Sequence, residues 1–148
     1  MSCYQNLLNV MGINFATEMV KQNIPNETKM WRAVINNAIQ DAMINSTDRK
    51  SSLLKCEAHD WITDNSEDFK NVCHFAELNP DDVRRQYLMA VEKDKIQFTD
   101  KHIKWKKYNL NYQKLKTVED KEERKHLRKV VEYLRKLVFQ SDNKIIKV

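Results

Sequence analysis

Glycine and proline are nearly absent from this chain of 148 residues, which contains Gly12, Pro25 and Pro80 and no others. Because so few residues interrupt helical patterns, the sequence predicts an all-α fold. A single glycine also excludes the glycine-rich loops with which P-loop and dinucleotide-binding proteins hold phosphates.

The chain also lacks any long apolar run and any basic-then-apolar N-terminal segment. Neither a membrane-spanning helix nor a secretory signal is therefore expected. Three cysteines, Cys3, Cys56 and Cys73, cannot all pair, and Cys73 falls on a predicted core face. Unpaired cysteines are typical of a reducing compartment, so we expect a cytoplasmic protein without a membrane partner.

Residues 66–91 predict two short helices joined by a tight turn. Ser66 is expected to cap the first helix, and Asn79 followed by Pro80 is typical of the start of the second. Three small or apolar positions have the spacing of a helix-turn-helix unit: Cys73, Leu78 and Val83. This spacing makes DNA the first partner to consider.

The polar residues of the second helix favour DNA less clearly. Asp81 and Asp82 lie in its first turn, where a duplex would repel them unless they read cytosine amino groups. Arg84 and Arg85 compensate only if they share the exposed face. An ordinary helical corner that builds a core is therefore an equally open interpretation.

Charge is unevenly distributed along the chain. Residues 1–92 contain 9 Lys/Arg and 13 Asp/Glu, a net of −4, whereas residues 93–148 contain 17 and 8, a net of +9. We predict a compact helical core over 1–92, with the helix-turn-helix-like unit at 66–91, and a basic helical hairpin over 93–148. Such asymmetry indicates a polyanionic partner for the C-terminal part, although lysine-rich helix faces are also commonly just solvated.

Two helices are predicted within the basic hairpin. Thr99 and Asp100 start one, and Thr117 with Asp120 indicates a second start, of the capping-box kind, for a helix ending near Gln140. The latter helix carries a coiled-coil-like seam, formed by Leu127, Val130, Leu134 and Leu137. The hairpin should pack on itself or on a second subunit, as a homodimer. Packing against this seam is the favoured role of three rings, those of Trp105, Tyr108 and Tyr112.

The lysines around these rings stay exposed whichever way the hairpin packs. They suit contacts with the backbone of a nucleic acid, in duplex or single-stranded form. The candidate nucleic-acid contacts are Arg84, Arg85, Lys104, Lys106, Lys107 and Lys114. The residues expected to be structural are Trp31, Trp61, Phe69, Val72 and Val83.

The sequence gives weaker evidence for metal binding or catalysis than for nucleic-acid binding. Cys56, His59, Cys73 and His74 are zinc-ligand types that lie close together in sequence, but neighbours on a helix point about 100° apart. A cysteine nucleophile with a histidine base lacks an identifiable orienting group. We therefore expect no metal, no other cofactor and no catalytic residue.

Several of these positions form a recognisable set. It comprises Trp31-Arg32-Ala33-Val34-Ile35, Asp41, Trp61, Ser66-Glu67-Asp68-Phe69, Val72-Cys73, Ala76, Leu78, Pro80 and Val83-Arg84-Arg85. The set, over about 60 residues, resembles a family of small, largely uncharacterised proteins of tailed phages and prophages, notably of alphaproteobacteria and marine cyanobacteria. Glu77 stands where that family often has glycine, so we expect a somewhat different turn. The resemblance implies a phage origin, a helix-turn-helix-like core and a location in the cytoplasm of the infected bacterial host.

Three functional hypotheses follow. The first is a phage-encoded, non-enzymatic regulator that binds nucleic acid, with DNA favoured over RNA, through a lysine-rich C-terminal region. The alternative is a protein-interaction factor that binds and modulates a host enzyme such as the transcription machinery. The third is an enzyme or a metal-dependent nuclease accessory, for which no ligand set is visible.

Overall fold

The computed structural model describes residues 3–148, and the side chains of residues 4–148. The fold is all-α, as the sequence predicts, with eight helices and one two-stranded sheet in this part of the chain. In chain order the elements are α1 (Cys3–Met11), α2 (Ile13–Met19), α3 (Asn26–Ala42), α4 (Arg49–Thr63), α5 (Glu67–Phe75), α6 (Pro80–Glu92), β1 (Phe98–Thr99), α7 (Asp100–Thr117), α8 (Lys121–Gln140) and β2 (Ile145–Ile146).

The N-terminal helix differs from the single helix that its apolar spacing predicts from about Tyr4 to Lys21. Gly12 has a φ of 88° and separates α1 from α2. Only glycine adopts such a φ without a steric penalty, so the single glycine of the chain marks the position of the break.

The spacing of Leu54, Ala58 and Trp61 predicts a helix from about Ser52 to Ile62. Helix α4 begins three residues earlier, at Arg49, because Asp48 acts as its cap. The Oδ2 atom of Asp48 accepts a hydrogen bond from the Ser51 backbone N–H at 3.1 Å. Hydrogen bonds from the Ser46 hydroxyl and from Ser51 lower the pKa of Asp48 to about 2. Leu54, which the helical spacing predicts to be buried, is 38% exposed.

The predicted starts of α5 and α6 are confirmed. Ser66 Oγ accepts from the Phe69 N–H at 3.2 Å, and Asn79 Oδ1 accepts from the Asp81 N–H at 2.9 Å. Pro80 occupies the first helical position of α6. Both caps satisfy backbone donors that have no partner within the helix.

The turn between these helices does not have the altered conformation that the sequence predicts at Glu77. Its φ is 57°, the left-handed conformation that glycine favours. The Leu78 N–H donates to the Cys73 carbonyl at 2.9 Å and the Glu77 N–H to the His74 carbonyl at 3.0 Å. These are the two hydrogen bonds of a Schellman motif, so glutamate here closes the helix in the same way as glycine would.

Contacts divide the chain into two compact units. The first unit comprises the residues up to Ile44 and Glu57–Gln97; the second comprises Asn45–Cys56 and Phe98–Val148. The predicted boundary at 92/93 thus lies five residues before the observed one, and a segment from the middle of the chain belongs to the second unit.

The core of the first unit contains Phe69, Val72 and Val83, all of which are buried. Clustering of apolar residues predicts that this core forms around Trp31 and Trp61, but both tryptophans lie at its edge and are partly exposed. Trp61 packs edge-on against Phe69, and its Nε1 donates to Asp68 Oδ2 at 2.7 Å. Trp31 lies 5.2 Å from the ring of Phe75, measured between centroids. The indole N–H of Trp61 thus has an acceptor at the edge of the core, whereas the Nε1 atom of Trp31 is buried without a hydrogen-bond partner among the described residues.

A buried arginine also holds the first unit together. Arg32 is 3% exposed, and its Nε donates to the Ala76 carbonyl at 2.8 Å. Its guanidinium also donates to the Glu18 carbonyl, and Nη2 contacts Glu18 Oε1 at 3.1 Å. The side chain therefore connects α2 and α3 to the turn after α5.

In the second unit, α7 and α8 form the predicted hairpin. Their shared core consists of Trp105, Tyr108, Val131 and Val138, with Tyr112, Leu115 and Leu134 packed against it. The aromatic rings therefore pack on α8, as the sequence predicts. The predicted capping box of α8 is wrong: Thr117 is the last residue of α7, where its hydroxyl donates to the Lys114 carbonyl at 3.2 Å, and Asp120 is the N-cap without a side-chain cap bond.

Candidate functional site

The two arginines predicted to contact nucleic acid, Arg84 and Arg85, lie on α6 of the first unit and are engaged by carboxylates of their own helix. Arg84 Nη2 lies 3.9 Å from Asp81 Oδ1, and Arg85 forms a closer salt bridge with Asp82. Each pair is one helical turn apart and carries no net charge. The start of α6 therefore offers little attraction for phosphate.

Three of the four predicted lysines on α7 of the second unit, Lys104, Lys107 and Lys114, fall within an arc of about 80°, and Lys106 lies on another face. Residues two positions apart on a helix are rotated by about 200°, so Lys104 and Lys106 diverge. Lys104 Nζ forms a salt bridge with Asp100 Oδ2 at 2.7 Å, and this contact lowers the pKa of Asp100. Lys107 and Lys114 are exposed and, seven residues apart, lie on the same side of α7.

Helix α8 carries a more coherent set of cations, which the sequence analysis did not single out. At about 100° per residue, seven cations fall within an arc of about 140°. We call this set the cationic arc: Lys121, Arg124, Lys125, Arg128, Lys129, Arg135 and Lys136. Its length along the helix is about 22 Å, and Glu132 is the one carboxylate within it.

All seven members of the cationic arc are exposed. Within the described residues, none of them forms a salt bridge. Arg124 Nη2 donates to the Val118 carbonyl at 2.7 Å, and the guanidinium carbon of Arg135 lies 5.9 Å from the centroid of the Phe139 ring. The arc therefore presents positive charge that forms no salt bridge with a carboxylate among the described residues.

The division into units sharpens the charge asymmetry. The first unit contains 8 Lys/Arg and 13 Asp/Glu, a formal net charge of −5, and the second contains 18 and 8, a net of +10. Segment 45–56 adds Arg49, Lys50 and Lys55 to the basic unit and only one acid. The basic character thus belongs to a structural unit rather than to the C-terminal stretch alone.

Segment 45–56 also positions α7 within the second unit. The backbone carbonyls of Ser46 and Thr47 lie 2.9 Å from His102 Nε2 and 3.1 Å from Trp105 Nε1. The Thr99 N–H donates to His102 Nδ1 at 3.0 Å, so Nε2 carries the imidazole proton and donates to Ser46. Burial lowers the pKa of His102, and Lys55 adds to this effect.

Lys55 is a second buried polar group of this unit. It is fully buried, and its Nζ lies 4.5 Å from the centroid of the Phe98 ring. Desolvation lowers its pKa from 10.5 to about 8. The residue adds to the packing of the basic unit rather than to its exposed charge.

The cysteines and histidines weighed as metal ligands occupy ordinary structural positions. His59 Nδ1 lies 2.7 Å from the Tyr87 hydroxyl, and Cys56 Sγ lies 3.7 Å from the His102 carbonyl. Burial raises the pKa of Cys73 to about 11. Over residues 4–148 no three Cys, His, Asp or Glu side chains are arranged to hold a metal ion.

The predicted seam on α8 is used only in part by the hairpin. Leu134 packs on the aromatic core, and the buried residues of the helix are Val131 and Val138. Leu127, Val130 and Leu137 stay half-buried along one edge. A homodimer through Leu127, Val130, Leu134 and Leu137 remains a prediction.

Helical spacing could have identified the cationic arc. Its members recur at intervals of three, four or seven residues from Lys121 to Lys136, the same period that reveals an apolar stripe. The leucines of α8 reveal the predicted seam at this period, and the cations of the same helix follow it too.

Comparisons with known proteins found no match of this chain to a protein-family model, to a curated protein or to a solved structure. The resemblance to phage and prophage proteins therefore stays a prediction. No helix in the described part of the chain is both long and apolar enough to cross a membrane.

Proposed function

We propose that this chain is a phage-encoded, non-enzymatic regulatory protein that binds nucleic acid through phosphate contacts from its second unit. The observation that carries the proposal is the cationic arc of α8, on a unit of net charge +10. A protein that neutralises phosphates releases condensed counterions, and this release drives binding. The preference for DNA over RNA rests on the helix-turn-helix spacing, and the phage origin rests on the family resemblance.

The proposal assigns the main phosphate contacts to α8 rather than to α6. Asp81 and Asp82 lie beside Arg84 and Arg85 and would face the same phosphates. The cations of α8 have no such carboxylate partners among the described residues. Lys107 and Lys114, on the exposed side of α7, are secondary contacts.

The chemistry of Cys73 gives no support to a covalent role. Cys73 is fully buried, and its pKa of about 11 keeps it a thiol at neutral pH. Because the thiolate is the nucleophile, such a residue is poorly suited to covalent catalysis.

The test is a titration of labelled DNA at several salt concentrations. The variant carries Lys125→Gln, Arg128→Gln and Lys129→Gln, three exposed members of the cationic arc. Affinity should fall, and the slope of log affinity against log salt should flatten by about 0.9 for each lost phosphate contact with duplex.

A matched control removes three positive charges from the first unit, through Lys70→Gln, Lys93→Gln and Lys95→Gln. This control should keep the wild-type salt slope, because these residues lie outside the basic unit. Equal losses in the two triple variants would contradict the proposal, as would an unchanged slope in the α8 variant.

A second candidate function is favoured by the first unit, which is acidic and has exposed apolar side chains. Met30 is 53% exposed and Phe75 is 50% exposed, beside the partly exposed Trp31. These features suit a factor that docks on a basic surface of a host enzyme such as the transcription machinery. A purified host enzyme bound by wild type, but not by a variant with Met30→Glu and Phe75→Glu, would support this candidate.

A further inference from the structure

Phe139 is an exposed aromatic ring within the cationic arc. It lies at about the middle of the arc by helical rotation, between Arg135 and Lys136. The side chain is 64% exposed, whereas the neighbouring Val138 is fully buried. Phe139 also helps to line a shallow open concavity, together with Glu132, Arg135, Lys136 and Gln140.

Contacts on two sides hold this ring in place. The ring of Trp105 packs edge-to-face against it, with 5.8 Å between centroids and an interplanar angle of 82°. The guanidinium of Arg135 lies 5.9 Å from its centroid. A ring held in this way loses little conformational entropy when a ligand stacks on it.

We infer that the second unit binds single-stranded nucleic acid in preference to duplex, with Phe139 as a stacking platform for a base. This inference rests on the proposed function and names the form of nucleic acid that the cationic arc recognises. The arc contacts successive phosphates of the strand, and one unpaired base stacks on Phe139 or on the guanidinium beside it.

A duplex makes no use of the exposed ring, because its bases are paired and stacked and only their edges are accessible. In a single strand every base has a free π-face, so an aromatic ring beside cations contributes affinity without reading sequence. Arg135 can add cation–π or stacking contact to the same base. The combination of ring and cations therefore fits a single strand better than a duplex.

The first experiment measures binding of three labelled probes by fluorescence anisotropy. The probes are a thymidine oligomer of about 20 nucleotides, an abasic oligomer of the same length and a duplex. Wild type should bind the thymidine oligomer tightest. Phe139→Leu should weaken that binding about 5- to 100-fold and leave the other two affinities and the salt slope unchanged.

Tyr133→Leu is the matched control, since Tyr133 is 62% exposed on the same helix but lies outside the cationic arc. It should behave as wild type with all three probes. Duplex binding as tight as single-strand binding, or unchanged binding of the thymidine oligomer by Phe139→Leu, would overturn the inference. The proposed function fails separately, if the triple variant of α8 keeps the wild-type salt slope.

A second measurement leaves Phe139 itself unchanged. Trp105 is in contact with Phe139, so a base stacked there should change Trp105 fluorescence. The thymidine oligomer should quench this emission in a protein whose other tryptophans, Trp31 and Trp61, are replaced by phenylalanine. Equal quenching by the abasic oligomer, or none by either, would count against stacking at Phe139.

Discussion

Glu77 turns the chain between α5 and α6 in the left-handed conformation, with a φ of 57°. A side chain with a Cβ atom is disfavoured there by about 1–2 kcal/mol. The two hydrogen bonds of the Schellman motif hold the residue in this conformation, so the strain is a cost to stability.

We expect Glu77→Gly to raise the free energy of unfolding by about 1 kcal/mol, because glycine removes the steric penalty. Chemical denaturation measures the change. Glu77→Ala retains the Cβ atom and should bring no comparable gain. An equal gain in both variants would mean that the charge of Glu77, not its backbone, is the cause.

Burial of the Lys55 amino group is a second cost to the stability of the fold at the scale of one residue. Desolvation lowers its pKa in the folded protein to about 8, from an ordinary value of 10.5. Between these values the unfolded chain binds more protons than the folded one, so the free energy of unfolding should increase as the pH rises from about 8 to 10.5.

Replacing Lys55 with methionine should remove this rise and should stabilise the protein at neutral pH, because an apolar side chain avoids the desolvation penalty. Thermal unfolding of both proteins over the alkaline range measures the difference. Parallel pH profiles in the two proteins would show that Lys55 is not the titrating group.

At the scale of an element, the start of α7 depends on a neutral imidazole. Thr99 and His102 form a reciprocal capping box, in which the Thr99 hydroxyl accepts from the His102 N–H and the His102 ring accepts from the Thr99 N–H. Protonation of His102 would remove that acceptor. The stability of this helix start therefore depends on pH through one buried ring, that of His102.

Because the pKa of His102 is lowered in the folded protein, the unfolded chain takes up a proton first as the pH falls. The free energy of unfolding should therefore decrease below about pH 6.5. His102→Gln can keep the capping box without titrating and should reduce this acid dependence. His126→Gln, on the exposed face of α8, should retain it; a smaller dependence in this variant too would point to another group.

At the scale of the whole molecule, the second unit is discontinuous in sequence. Segment 45–56 supplies backbone acceptors to His102 and Trp105, two buried side chains of α7. A fragment of residues 93–148 would leave these donors unsatisfied. Each unsatisfied buried donor costs about 1–3 kcal/mol.

We therefore expect the isolated fragment 93–148 to lose its cooperative thermal transition and its near-ultraviolet circular dichroism, while it keeps some helix. Addition of a peptide of residues 45–56 should restore part of the signal. Cooperative unfolding of the fragment alone, at the temperature of the whole chain, would contradict this prediction.

The sequence predicts where a helix starts when that start depends on neighbouring residues. Ser66, Asn79, Pro80 and Thr99 start helices at the expected positions, because caps depend on neighbouring residues. The aromatic packing of α7 on α8 also follows from spacing. The candidate site was predicted less well, because the charge count took no account of helical spacing. The pair of Lys104 with Asp100 is an i,i+4 contact, which the sequence already indicates.

The sequence alone determined the fold class, the starts of α5, α6 and α7 and the basic character of the C-terminal part, since propensity, capping and charge are local properties. Only the tertiary structure decided that segment 45–56 joins the basic unit, that Lys55 and His102 are buried, and that Phe139 stays exposed among the cations of α8. These features depend on contacts between residues far apart in the chain, and no local pattern specifies which partners meet.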